Sequence, residues 1–357
     1  MTTSGTTALV KTALVKPALV KSALAVLLGI FLVATGPAPA SAQTKPLTRI
    51  TFSLDFIPLG RHAPWYAAVA KGYYQDLGLD VSIIPSHGTA QTIQAVEAGT
   101  AQIGFTDVVS LALARANGAH LKMVAVNYEK APYAIFSLDP GGDVTEVKQL
   151  QGLTLGSGAG SFTPRIIRGF MAEHGLDPAT LKVVNITPSA RASALLSHEV
   201  PSIEFFVMSE PGLAAAAKAR HAELKTFLLA DHGLKLYSNG IVATDKYLAE
   251  HPDIVKNFVA ASLRGWRFAL SHPKQAVEDE IKFVPSLRPA ESVAELEIVK
   301  GLAITPAVQE HGLGWFGPAG MEATLDFVIK YVGLKGTPPK ATDLYATGFL
   351  PSPPIMP

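Results

Sequence analysis

The chain has 357 residues, with 48% hydrophobic and 17% charged side chains, which is enough apolar surface to offset chain entropy in two compact domains and excludes a disordered polymer. Thirty basic against twenty-nine acidic side chains leave none of the positive excess that binding to a phosphate backbone requires, so nucleic acid is excluded as the expected partner. The absence of cysteine excludes disulfides, thiolate metal sites, cysteine nucleophiles and sulfur-linked lipids.

Residues 1–22 carry Lys11, Lys16 and Lys21 within a repeated ALVK unit and contain no acid. An apolar run from Ala23 to Thr35 follows, then Gly36-Pro37 and the small residues that end at Ala42. This order is that of a secretory signal peptide over residues 1–42, cleaved after Ala42, and it predicts an exported, periplasmic protein. The apolar run is shorter than the roughly 18–20 residues that span a bilayer and ends in helix breakers, which weighs against an uncleaved anchor. Three lysines and no acid leave with the leader, so the mature chain is slightly acidic.

The mature part opens with a strand over ITFSLDF, a loop at 57–61, a helix from about His62 to Gln75, the turn Gly78-Leu79-Asp80 and the strand VSIIP. This is a βαβ unit. About a hundred residues later the pattern returns as the strand LTLGS, a Gly/Ser loop to Thr163, a helix from Pro164 to about His174, the turn Gly175-Leu176-Asp177 and the strand KVVNITP. Each unit is followed by a further helix and strand, with Ile103-Gly104-Phe105 answered by Ile203-Glu204-Phe205. Two similar α/β lobes with right-handed parallel crossovers are the economical interpretation. Two β-rich segments, Pro132 to Leu138 and Leu236 to Ala243, bracket the second copy and are expected to carry the chain out of the first lobe and back. The expected layout is therefore a first lobe over 43–135, a second over 136–237, and completion of the first lobe with a C-terminal tail over 238–357. The completing part reads as helical, with Thr244 as an N-cap and an apolar stripe along Pro252 to Leu270. The Pro-rich tail from Lys335 is expected to wrap the surface.

Candidate ligand contacts lie at the ends of these strands, where open α/β sheets bind their ligands. In the first lobe they are Asp55, Phe56, Arg61, His62, Trp65 and Tyr66. Aromatic faces stack on a flat ring, Asp55 and His62 fix its polar edge, and Arg61 meets a negative group. The alternative places Trp65 and Tyr66 in the core and Arg61 in solvent. His87 after the next strand, Thr106 and Asp107 after the third, and Glu210 in the second lobe are further cleft candidates, or else surface caps. The loop containing Ser157, Gly158, Ser161, Phe162 and Thr163 leaves a strand and enters a helix, so its backbone N–H groups are available to an anion or carbonyl oxygen. Ser161 stands at the third glycine position of the dinucleotide fingerprint, and neither Ser157 nor Ser161 has the flanking glycines of a nucleophile elbow. The ten histidines include no i, i+4 pair, so no catalytic metal is expected; no cofactor is expected either.

The runs DFIPLGRHAPWYAAVAKGYYQDLGLDV, IQAVEAG, LTLGSGAGS, NGIVATDKYLAEHPDIVKNFVAASLRGWRFALSHP and GLGWF resemble the solute-binding proteins of bacterial ABC importers. The similarity is strongest to the branch that binds thiamine pyrimidine precursors and includes the hydroxymethylpyrimidine synthase; sulfonate, taurine and nitrate binders are cousins. The resemblance covers nearly the whole mature chain. It implies a type II two-lobe periplasmic binding protein, hinged at two crossover strands, that closes on one small molecule and docks as a monomer on a membrane permease. By motif match Asp55, Phe56, Pro58, His62 and Tyr66 keep the branch's pattern, and Glu210 sits where a ligand-facing acid is expected. Leu59-Gly60-Arg61 replaces an asparagine-rich loop, while Gln102 and Ser202 replace aspartates of the turn-strand motif. The implied function is non-enzymatic capture of a small polar heterocycle such as a thiamine pyrimidine precursor. A binder of a small anion, such as an alkanesulfonate, taurine or nitrate, is the alternative favoured by Arg61 and the glycine loop. A synthase is the remote one, because its cysteine-rich iron loop has no counterpart here.

Overall fold

The computed structural model describes residues 46–158 and 161–357. The expected signal peptide and its cleavage point lie outside the described residues. The first part of the chain forms β1 (Thr48–Ser53), α1 (Ala63–Ala70), β2 (Leu79–Ile84), α2 (Thr89–Glu97), β3 (Ile103–Asp107), α3 (Val108–Ala116) and β4 (Leu121–Val126). The middle part forms β5 (Tyr133–Asp139), β6 (Thr154–Ser157), α4 (Thr163–Glu173), β7 (Lys182–Asn185), α5 (Pro188–Leu196), β8 (Ser202–Phe206), α6 (Glu210–Lys218) and β9 (Glu223–Leu228). The last part begins with β10 (Asn239–Thr244) and continues through α7 (Asp245–Glu250), α8 (Pro252–Ser271), α9 (Pro273–Ile281), α10 (Pro289–Ala303), α11 (Pro306–His311) and α12 (Pro318–Phe327). Among the described residues no helix is long and apolar enough to cross a membrane.

The strands form two five-stranded sheets, ordered β2-β1-β3-β10-β4 and β7-β6-β8-β5-β9. The two orders are alike. In the first sheet β1 pairs in parallel with β2 and β3, and in the second β6 does so with β7 and β8. In each, the antiparallel strand beside the parallel three is the one that has just arrived from the other lobe: β10 against β3 and β4, and β5 against β8 and β9. The segments expected as crossovers are thus mostly strands of the sheet each enters. The links proper are the short stretches 127–132 and 233–238. They are tied together, since Asn127 N and Tyr128 N both donate to Asn239 O at 2.8 and 2.9 Å, and Ser238 N donates to Tyr128 O at 3.0 Å.

Local chemistry sets the boundaries. The first helix stops at Ala70 rather than reaching Gln75, because Gly72 takes φ 72° and breaks the ladder. Gly78, at φ 78°, then releases the chain into β2 two residues earlier than expected. Helix α4 begins at Thr163, whose side chain makes no cap; Ser161 Oγ accepts the Thr163 N–H at 3.3 Å instead. Asp107, Thr244 and Thr305 do cap their helices with side-chain oxygens. The Pro-rich tail lies along the edge strand β4, with Met123 N donating to Leu344 O and Ala346 N donating to Met123 O. That bond pattern covers an edge otherwise open to pairing with another chain.

Trp65 belongs to the core, at 0% exposure, packed against Phe52, Phe105 and Trp266 at centroid distances of 4.8, 5.1 and 5.5 Å. Helix α1 reaches this position because α8 presents Gly265 to it. A Cβ at Gly265 would meet Pro64 O at 2.4 Å and the Ala68 Cβ at 2.7 Å. Gly265→Ala should therefore destabilise the protein by about 1–3 kcal/mol through overpacking, although alanine favours a helix interior by about 1 kcal/mol. Urea denaturation with an unchanged slope checks the sign.

Candidate functional site

A cleft of about 820 Å³ opens between the two sheets at the carboxyl ends of their parallel strands. The first lobe contributes Asp55, Phe56, Leu59 and Arg61 after β1, Gly88 and Thr89 after β2, and Asp107 at the end of β3. The second contributes Ser161, Phe162 and Thr163 after β6, Pro188, Arg191 and Ala192 on α5, and a stretch from Glu204 to Ala216 that ends β8 and forms α6. Arg288 and, on α10, Glu291 and Glu295 add a third wall. Gly212 on α6 leaves room for Glu291, whose Oε1 lies 2.4 Å from where a Cβ would stand.

Asp55 organises the first-lobe side. Its Oδ2 accepts Arg61 Nη1 at 2.9 Å and Asn239 Nδ2 at 2.8 Å, while Oδ1 accepts His62 Nε2 at 2.9 Å. Burial alone would raise this carboxyl, but the Arg61 charge and the bond from His62 outweigh it and hold the pKa down at about 2. His62 is fully buried. Burial, reinforced by the Arg61 charge, lowers its pKa to about 4, so the ring is neutral near pH 7. Leu59 N donates to His62 Nδ1 at 3.0 Å, which places the proton on Nε2, facing Asp55. His62 is thus a positioning group behind the wall.

The second-lobe side repeats the device. Glu204 Oε1 accepts Arg191 Nη1 at 2.7 Å and the Ser157 hydroxyl at 2.8 Å. Burial raises the Glu204 carboxyl, opposed by the Arg191 charge and the Ser157 bond. The two guanidiniums lie against neighbouring rings of one strand, Arg61 over Phe206 at 5.6 Å and Arg191 over Phe205 at 5.0 Å. The first of these contacts crosses the cleft. Arg288, the third arginine of the lining, pairs with Glu291. Glu295 accepts the Arg61 N–H at 3.3 Å, and burial raises it to about 7. Behind it Glu280 is pushed up to about 9 by burial and by Glu295.

Of the residues expected from sequence, the cleft brings together Asp55, Phe56, Arg61, Asp107, Ser161, Phe162 and Thr163. His62 and Ser157 stand one layer behind, bonded to Asp55 and Glu204. Tyr66 is buried against Phe283, with centroids 5.6 Å apart, and is not in the lining. Exposed His87 lies beside lining residues, and Thr106 is buried on the strand before Asp107. Gly158 lets the chain pass close to Arg191, whose Nη2 would lie 2.9 Å from an added Cβ. Glu210 begins α6 outside the lining, and the acid that faces the cleft from this lobe is Glu204. Sequence reasoning missed Arg191, Glu204, Phe205, Phe206 and the α10 acids. An acid in the otherwise apolar strand SIEFF was the available signal.

A family model described as "NMT1/THI5 like" matches residues 60–276. The riboflavin-binding protein RibY of Chloroflexus aurantiacus is 26% identical over 88% of this chain and 89% of its own. A formylaminopyrimidine-binding protein of Halalkalibacterium halodurans is 21% identical over 73% and 80%. The 4-amino-5-hydroxymethyl-2-methylpyrimidine phosphate synthase of Candida albicans is 24% identical over 67% and 73%. Among solved structures, the alkanesulfonate-binding protein SsuA of Xanthomonas axonopodis superposes with a TM-score of 0.62 at 14% identity, over 85% of this chain and all of its own. That likeness is one of fold.

Two predictions follow from the Asp55 cluster. Asp55→Ala leaves Arg61 buried without a counter-charge and should cost about 3–5 kcal/mol in chemical denaturation. Between pH 6.5 and about 4 the unfolded chain takes up a proton at His62 that the folded chain refuses, so acidification destabilises the fold through this residue. Asp55 adds a loss of the same sign between 3.8 and about 2, whereas the raised Glu280 and Glu295 act in the opposite sense above 4.5. The measurement is therefore a difference. Gln at position 62 keeps a donor and an acceptor without titrating, and His62→Gln should abolish about 3 kcal/mol of the acid-induced loss between pH 6.5 and 4.

Proposed function

The chain belongs to the NMT1/THI5-like family, and from that membership we propose that it is the solute-binding component of an ABC importer. Its guest is a flat, uncharged, polar heterocycle built on a pyrimidine ring, handed unchanged to a membrane permease. One observation carries the choice of guest: each of the three arginines lining the cleft is already paired with a carboxylate. Asp107 and Glu295 add two more carboxyls to the lining. A sulfonate or nitrate would meet no uncommitted cation among the described residues and would face a surplus of acids. A neutral ring would meet Phe56, Phe162, Phe205 and Phe206 as faces and fixed polar groups at its edge. The names of two relatives support the same reading, because a flavin contains a pyrimidine-type ring fused into its isoalloxazine and formylaminopyrimidine carries the ring alone.

Capture would work by hinge closure at 127–132 and 233–238, between a first lobe of 43–135 with 238–357 and a second of 136–237. A guest touching both lobes binds the closed form better and shifts the population toward it. Export would follow from the leader, with the permease reading the closed form from outside the membrane.

A thermal-shift and fluorescence titration tests this. Riboflavin or 4-amino-5-hydroxymethyl-2-methylpyrimidine at a hundredfold excess over Kd should raise the melting temperature by about 4 °C, because only the native state binds it. Taurine, methanesulfonate and nitrate should not, and Phe206→Ala should weaken the heterocycle by about tenfold. A shift with the anions alone overturns the heterocycle in favour of an anion receptor, and chemical turnover of a bound pyrimidine overturns the receptor itself.

A further inference from the structure

Asp107 closes β3 and caps α3, with its Oδ1 accepting the Ser110 N–H at 2.7 Å. Its Oδ2 has no hydrogen-bond partner among the described residues, although the side chain is fully buried and lines the cleft. Two further buried hydroxyls, those of the adjacent Thr106 and of Tyr133, are also without a partner among the described residues. The Thr89 hydroxyl pairs with Ser110 Oγ at 2.9 Å, and Arg61 and Arg191 are bound to Asp55 and Glu204. A buried carboxylate oxygen without a donor is costly to maintain, and a donor carried by a guest in the adjoining cleft reduces the cost on binding.

Resting on the reading of the guest as a pyrimidine-type heterocycle, we infer that Asp107 selects among such rings by accepting an N–H from the ring edge through Oδ2. The specificity is for an imide N–H or an exocyclic amino group at that edge. A ring alkylated there leaves Oδ2 unpaired, and a carboxylate-bearing or acceptor-only edge repels it. A site built to receive a donor discriminates far more strongly against its absence than an apolar wall discriminates against a change of size. The phenylalanine walls fix only the plane of the ring, so this oxygen adds to the polar groups that discriminate within that plane.

Asp107→Asn is the informative variant, because its amide keeps an acceptor for Ser110 N–H and replaces the second oxygen with a donor. Affinity for riboflavin and for 3-methylriboflavin is measured by flavin fluorescence, and affinity for 4-amino-5-hydroxymethyl-2-methylpyrimidine and its dimethylamino analogue by calorimetry. Thermal unfolding reports whether the variant is folded. The native protein should prefer the N–H form of whichever pair it binds by tenfold or more. Asp107→Asn should weaken that form tenfold to a hundredfold and erase the preference. Equal binding by variant and native protein, or a preference that survives the substitution and is therefore steric, overturns the inference while leaving the receptor reading intact. If the native protein binds neither pair, both fall together.

Discussion

One buried carboxylate fixes the geometry on which the cleft depends. Asp55 stands just after the first strand and gathers the guanidinium of Arg61, the ring of His62 and the amide of Asn239. The backbone carbonyl of that asparagine in turn takes two N–H groups from the outgoing crossover. A single anion therefore links the start of the first lobe, the wall of the cleft and both passages between lobes. Its desolvation is compensated only because three donors converge on it, which makes the arrangement specific: no partner is free to leave without exposing the others to an unpaired charge.

The same logic, carried to the opposite wall by Glu204 and Arg191, explains the electrostatic character of the space between. Each cation is spent internally. What remains for a guest is a set of aromatic faces, polar edges and carboxyls. Such a lining suits recognition by shape and hydrogen-bond pattern, in contrast to a cleft that concentrates ions. The cation over Phe206 is also a point at which the lobes touch across the gap, so the aromatic wall and the ion pair are parts of one contact.

Much of the architecture was legible because it repeats. The turns Gly78-Leu79-Asp80 and Gly175-Leu176-Asp177, each followed by a β-branched strand, gave the two βαβ units and their spacing. The site was legible only where a residue lies at a strand's end, as Asp55 and Asp107 do. Arg191 carries no local signal, since an arginine on an amphipathic helix ordinarily faces water; it is buried because α5 packs across the end of β8, where Glu204 waits. Tyr66 and Trp65 share a helix with the cleft loop but turn into the core, because their neighbours Phe283 and Trp266 come from segments some two hundred residues away. Pairings at that separation are set by the completed fold.

The order in which the sheets are threaded bears on how the chain is made. All five strands of the second sheet lie together in sequence, from Tyr133 to Leu228, whereas in the first sheet β3 and β4 are separated by a place that only β10 fills. Until the ribosome has delivered Thr244, the first sheet has a gap one strand wide, and its most buried strand lacks a partner on one side. The later-synthesised half can become native first, and the earlier half must wait for the strand that completes its sheet.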